Sequence, residues 1–201
     1  MLKTFETFQN EQIRVSCAGL AQIMIGDKYL LIVNKNSVKM GSPRYGPLGG
    51  ALEFTPDAKP FLDSLNVEYE KGMDLRLHMS KAVLPKFESW FTKKIDREHS
   101  AIREVYEELC LEEQIVCFTI DQLTEKYLRT SVEDKLSDRE GNVGTPTRAM
   151  YEIYSITLSA EISDAIVNYI SNTKNPKVLL LTKEEILKGD SSIGNHSKHI
   201  V

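Results

Sequence analysis

The chain predicts an α/β domain built on a mixed sheet with helices on both of its faces. Three observations carry that expectation. Two apolar strands stand close together near the start, at 13–25 and 29–34. An amphipathic helix with an acidic face follows the middle of the chain, at about 97–110. A second amphipathic helix at 160–172, then a short apolar strand, lies near the end. Strand, helix, strands and helix in that order are the elements of a layered α/β domain.

The first pair reads as a hairpin. Residues 13–25 alternate partly between apolar and polar, Gly26-Asp27-Lys28 is a turn, and 29–34 is a second apolar run. Residues 35–46 form a polar, basic loop. Pro47-Leu48-Gly49-Gly50-Ala51-Leu52-Glu53-Phe54 comes next. Paired glycines there mark a backbone that must approach something closely or adopt positive φ. Residues 55–96 differ in character and read as an inserted helical subdomain within a single domain spanning 1–201. Amphipathic pieces lie around Phe61–Leu65 and Val83–Phe91, with Asp74–Leu77 extended between them. Trp90 is expected in the core of that insert.

After the acidic helix, Gln114–Ile120 is rich in β-branched residues and predicts a strand. Residues 127–135 and 145–158 predict a long hairpin joined by a turn-rich connection. Helix 160–172 carries Ile162, Ala165, Ile166, Tyr169 and Ile170 on one face. Val178–Leu181 is a short buried strand. Thr182 and Glu185 make a capping box for a last helix, 183–188, that stops at Gly189.

Composition narrows the class. With 201 residues, 41% hydrophobic and 27% charged, the chain is an ordinary globular protein with a real core. A net charge of −4 argues against a basic groove for long nucleic acid, but leaves small nucleotides open. No apolar run of about 18 residues occurs, so no membrane span or membrane partner is expected. The first residues, MLKTFETFQNEQ, lack the pattern of a signal peptide, and a cytoplasmic location is expected. The three cysteines, Cys17, Cys110 and Cys117, have no metal-ligand spacing and are expected reduced and mostly buried. His196 and His199 are expected in a C-terminal tail.

The chemistry concentrates in Arg103-Glu104-Val105-Tyr106-Glu107-Glu108-Leu109. Ile102, Val105, Tyr106 and Leu109 form the apolar stripe. Glu104, Glu107 and Glu108, at i, i+3 and i+4, share the other face. Such a face is either solvated surface or a site for a hard divalent cation and the phosphates it carries. Arg103 lies beside Glu107 on the helix and can hold it in its rotamer. Arg44 and Tyr45, in the loop before the glycines, read equally as surface loop or as contacts for a phosphate and a base.

Arg103–Leu111 is similar to the second half of the Nudix hydrolase signature, Arg-Glu-aliphatic-x-Glu-Glu-x-Gly-aliphatic, with Cys110 in place of the glycine. Pro47–Glu53 resembles the Pro-Gly-Gly-x-x-Glu that opens it, with Leu48 interposed. The halves are separated by the insert, and the intervening glutamate is missing, since Ile95 stands eight residues before Arg103. With the segments MDLRL, FESWF and REHSAIREVYEEL, the chain resembles the SMODS-associated Nudix branch over roughly 13–190. Those are bacterial domains encoded beside second-messenger nucleotidyltransferases in defence islands.

The resemblance implies a Nudix-like α/β/α sandwich with a helical insertion inside the motif. It implies a Mg²⁺- or Mn²⁺-dependent hydrolase that cleaves a pyrophosphate linkage in a nucleotide. Glu104, Glu107 and Glu108 would ligate the metal. Glu104, Arg103 and Glu107 would serve catalysis, and Arg44, Tyr45, Gly49, Gly50 and Glu53 would contact substrate. Glu98, expected near the start of the acidic helix, stands in for the missing glutamate. A further acid is expected from Glu133, Asp134, Asp138, Glu140 or Glu152. Nudix domains often form homodimers. Two other readings stay open: a nucleotide sensor without turnover, and an interaction module with a vestigial site.

Overall fold

A computed structural model describes residues 11–39 and 41–201. In chain order the strands are β1 (Gln12–Ile25), β2 (Lys28–Val33), β3 (Tyr45–Gly46), β4 (Gly49–Ala51), β5 (Glu68–Tyr69), β6 (Arg76–Ser80), β7 (Thr124–Leu136), β8 (Pro146–Thr157) and β9 (Val178–Leu181). The helices are α1 (Lys35–Lys39), α2 (Lys59–Ser64), α3 (Leu84–Thr92), α4 (Ile102–Tyr106), α5 (Ala160–Asn172) and α6 (Lys183–Lys188). The fold is α/β. Two compact units divide the described residues: one holds 11–18 with Ala51–His99 and Thr130–Glu152, the other Gly19–Gly50, Ser100–Arg129 and Ile153–Val201.

In the first unit β1 pairs antiparallel with β6, Val15 opposite Leu77, and β6 pairs with β5, Glu68 opposite His78. Alternation explains β6. Leu77 and Met79 are buried, while Arg76, His78 and Ser80 face the other way. The segment read as helical therefore also contains two strands, because a period-two stretch next to β1 gains a full hydrogen-bond ladder. The extended piece expected at Asp74–Leu77 lies at Arg76–Ser80. α2 and α3 cover the core with Leu62, Phe87, Trp90 and Phe91. Trp90 belongs to that core, as its spacing predicts.

In the second unit β1 turns into β2 through Gly26-Asp27, with Ile25 opposite Lys28 and Gly26 at φ +64°. β2 pairs with β3 and β9, both antiparallel. Its core joins Ile23, Leu30, Ile32, Leu48, Val105, Leu109, Ile162 and Ile166. α5 starts where Ser159 caps the N–H of Ile162, and α6 where Thr182 and Glu185 cap each other. The expected hairpin β7–β8 also forms, its 130–152 part belonging to the first unit.

Several expectations change. The basic loop 35–46 contains α1, because the side chain of Asn34 accepts from the N–H of Ser37 and nucleates a turn. Residues 114–120 form no strand. The N–H groups of Ile115 and Val116 both turn back to the carbonyl of Leu109, and Gln114 sits at φ +50°. A β-branched composition is satisfied there by burying Ile115 and Phe118 instead. Cys17 is buried, but Cys110 is half-buried and Cys117 exposed; all three are free thiols. The C-terminal histidines are not a tail. Residues Asn195–Ile200 form a turn whose carbonyls at His199 and Ile200 accept from Arg129 and Gln22, and His199 is buried. The reading of the first residues falls largely on residues 1–10, outside those described. Among the described residues no helix is long and apolar enough to cross a membrane.

Candidate metal and phosphate site

The acidic helix begins at Ile102, not at 97. Residues 97–101 are extended or irregular, and Arg97 forms an isolated bridge with Phe54. α4 then widens into a π-helical turn over Glu107–Glu112, closed by the N–H of Glu113 on the carbonyl of Glu108 at 3.1 Å. Such turns are rare and recur at functional sites. The three glutamates therefore straddle an α–π junction. Cys110 stands inside this turn, and the positive φ that a glycine would supply falls later, at Gln114. Val105 and Leu109 are fully buried and fix which way the helix faces.

The double glycine meets this helix, each residue for its own reason. Gly49 has φ +142°, and a Cβ there would strike the backbone of Gly19 and Leu20. Its N–H donates to the Glu108 carboxylate at 3.0 Å. A side chain at Gly50 would overlap the Glu104 carboxylate. Gly49 thus serves the packing of the strand, while Gly50 leaves space for an acid.

Arg103 stands among the acids as an internal cation. Its Nη1 lies 2.9 Å from Glu104 and donates to both oxygens of Glu107 at 3.2 and 3.3 Å. The expected pairing of Arg103 with Glu107 is present. Glu108 behaves differently. Burial first, then the neighbouring Glu104 and Glu112, push its carboxyl up to about 8, against the N–H of Gly49 and the charge of Lys35. Lys35 pairs with Glu112. Neither Lys35 nor Glu112 was singled out by the sequence, although Glu104, Glu108 and Glu112 repeat at four-residue spacing and could have been.

All these donors are oxygens, the set a hard divalent cation prefers. The crowding that keeps a proton on Glu108 is the kind a cation relieves. Yet among the described residues no group of three or more His, Cys, Asp or Glu side chains is arranged to hold an ion. Arg103 is the cation that Glu104 and Glu107 face.

The other expected residues have other surroundings. Arg44 is exposed, its backbone N–H donating to Ser37 Oγ at 2.8 Å. Tyr45 lies in β3 and its hydroxyl donates to the carbonyl of Pro176 at 2.8 Å. Glu53 and Glu98 meet in the first unit, where the N–H of Glu53 donates to the Glu98 carboxylate at 3.2 Å. Glu98 thus lies before α4 and not on it. Of the later acids, Asp134 pairs with Arg148 at 3.1 Å. Glu152 is not a loop acid. It lies in β8, 1% exposed, against Arg97.

The family model of the SMODS-associated NUDIX domain matches residues 12–201. No curated protein matches the chain.

Proposed function

We propose, from the premise that the chain belongs to the SMODS-associated NUDIX domain family, that it is a divalent-cation-dependent hydrolase of a pyrophosphate linkage in a nucleotide. The observation that carries this reading is the placement of Glu104 and Glu108 against the Gly49–Gly50 turn, with Glu107 and Arg103 beside them. Glu104, Glu107 and Glu108 would hold Mg²⁺ or Mn²⁺, which supplies charge neutralisation at the phosphate oxygens and a more acidic water. Arg103 is shared between Glu104 and Glu107, so it fixes their rotamers and competes for them with an incoming cation. Glu108 would ligate as the carboxylate, so cation binding would release the proton that burial favours on it. Gly49 keeps Glu108 aimed into the site through its N–H. Arg44 and Tyr45 would receive the nucleotide, the family setting suggests a role in defence, and a homodimer is the expected assembly.

The engagement of Glu104 and Glu107 by Arg103 favours one second reading, a sensor that binds a nucleotide without turning it over. A nucleotide panel with Mg²⁺ and Mn²⁺, read by chromatography, separates the two. Hydrolysis that falls by about 100-fold or more in Glu107→Gln and Glu108→Gln supports the enzyme. Tight binding in calorimetry with no product supports the sensor. Turnover unchanged in both variants would sink the assigned roles.

A further inference from the structure

The acid helix leaves one feature of the first unit unused. α2 and α3 pack through aromatic side chains, and their outer side opens into a groove of about 600 Å³. Phe61 and Trp90 line its floor, ring centroids 5.6 Å apart. Ile95 also lines it, 53% exposed and outside the core cluster. The turn that presents it is unusual. Both neighbours, Lys94 and Asp96, hold positive φ, at 56° and 57°. Residues with a Cβ adopt that backbone only at a cost, and two around one exposed isoleucine point to a use for that side chain. The turn is fixed from outside, since the carbonyl of Asp96 accepts from the N–H and the hydroxyl of Thr55 at 2.9 and 3.1 Å.

Charge adds direction. Lys86 and Lys93 lie seven residues apart on one face of α3 and its end, about 10 Å along the axis. Both are exposed and line the groove, and neither makes an ion pair among the described residues. Asp96 is the one acid among the lining residues. The groove is therefore apolar along its floor and cationic at its rim. It is shallow and open to solvent, which suits a peptide segment better than an enclosed small molecule.

We propose that this groove docks an acidic, amphipathic segment of a partner protein. Its apolar side chains lie on Phe61, Trp90 and Ile95, and its carboxylates face Lys86 and Lys93. Complementary charge sets the orientation, and the apolar anchors supply the affinity.

Trp90 is the single tryptophan of the chain, so its emission reports on the groove. A displayed library of random short peptides is selected on the full chain and counter-selected on the Lys86→Glu/Lys93→Glu protein. The expected result is enrichment of apolar residues flanked by Asp or Glu. Synthesised winners shift Trp90 emission and lose about tenfold or more in affinity for Ile95→Asp and for the double charge reversal. All three substituted side chains are exposed, and an unchanged Tm verifies the fold of each variant. The proposal is overturned by no enrichment, by winners lacking acids, or by binding that survives both variants. Self-association that shifts Trp90 emission without peptide would assign the groove to a second copy instead. A Trp90 response saturated by ADP would assign it to a small ligand.

Discussion

Two arginines of this chain face glutamates in opposite ways. Arg97 is buried and spends all five of its N–H donors: on the carbonyl of Phe91 twice, the carbonyl of Glu98 once, and both oxygens of Glu152, at 2.6–3.1 Å. Its guanidinium also lies 3.8 Å over the Phe91 ring. Glu152 receives it at 1% exposure, with Lys94 at 3.5 Å. Arg103 is about a third exposed and shared between two carboxylates, one of which, Glu104, also stands beside Glu108 and helps push its carboxyl up. The first arrangement is closed: every polar atom of the guanidinium has its partner, so nothing is left for a ligand. The second has an excess of acid, and excess acid beside a glycine turn is what a cation or a phosphate-bound metal can use. Similar residues thus make structure in one place and candidate chemistry in another, and burial with saturation decides which.

Glu152→Ala leaves a buried guanidinium without its carboxylate. It should cost about 3–5 kcal/mol and lower Tm by on the order of 10 °C in thermal unfolding. A loss no larger than that of a surface substitution would refute the closed pair.

Glu108 should give an effect of similar size, and its sign is fixed. Its folded carboxyl sits at about 8 and its ordinary value at 4.5, so between those values the folded chain holds a proton that the unfolded chain has released. Stability is then highest at low pH with respect to this group, falls as pH rises from about 4.5 to 8, and is fully lost above. In chelator-treated protein, Glu108→Gln should remove a slope worth roughly 4–5 kcal/mol, read by denaturant unfolding across pH. A wild-type profile with no difference from the variant would place Glu108 in water.

The glycines sharpen the open site. Gly49→Ala strikes backbone at a positive φ and should cost roughly 2 kcal/mol. Gly50→Ala meets only the end of a glutamate side chain, so it should cost under about 1 kcal/mol while displacing Glu104. Equal costs would mean that both glycines serve packing. Arg103→Ala should be the mildest for stability, within about 0.5 kcal/mol, because its ion pairs are solvent-screened. Calorimetry with Mg²⁺ should then show tighter binding, since Glu104 and Glu107 are released. Weaker binding would show that the arginine organises the acids instead.

Local pattern is enough where an element's partners lie close in the chain. The β1–β2 hairpin, α5, the capped α6 and the apolar strand β9 formed where spacing, turn residues and caps placed them. The Arg103–Glu107 pair is likewise four residues of helix arithmetic. Failures came where a distant partner decided. Residues 114–120 have strand composition, but two N–H groups return to Leu109 and no ladder is left to join. Glu98 looked like part of the acidic helix, but its segment pairs with Glu53 in extended form. Glu152 looked like any other acid until a buried arginine came to meet it.

The family and the acidic face are written in the chain itself, because both live in short spacings that helix geometry reads directly. Tertiary structure alone decided which acids are spent. The state of a carboxylate depends on how much water it keeps and which charges stand beside it. Arg97 lies 55 residues from Glu152, and Gly49 lies 59 from Glu108. No local pattern carries those distances; only packing closes them.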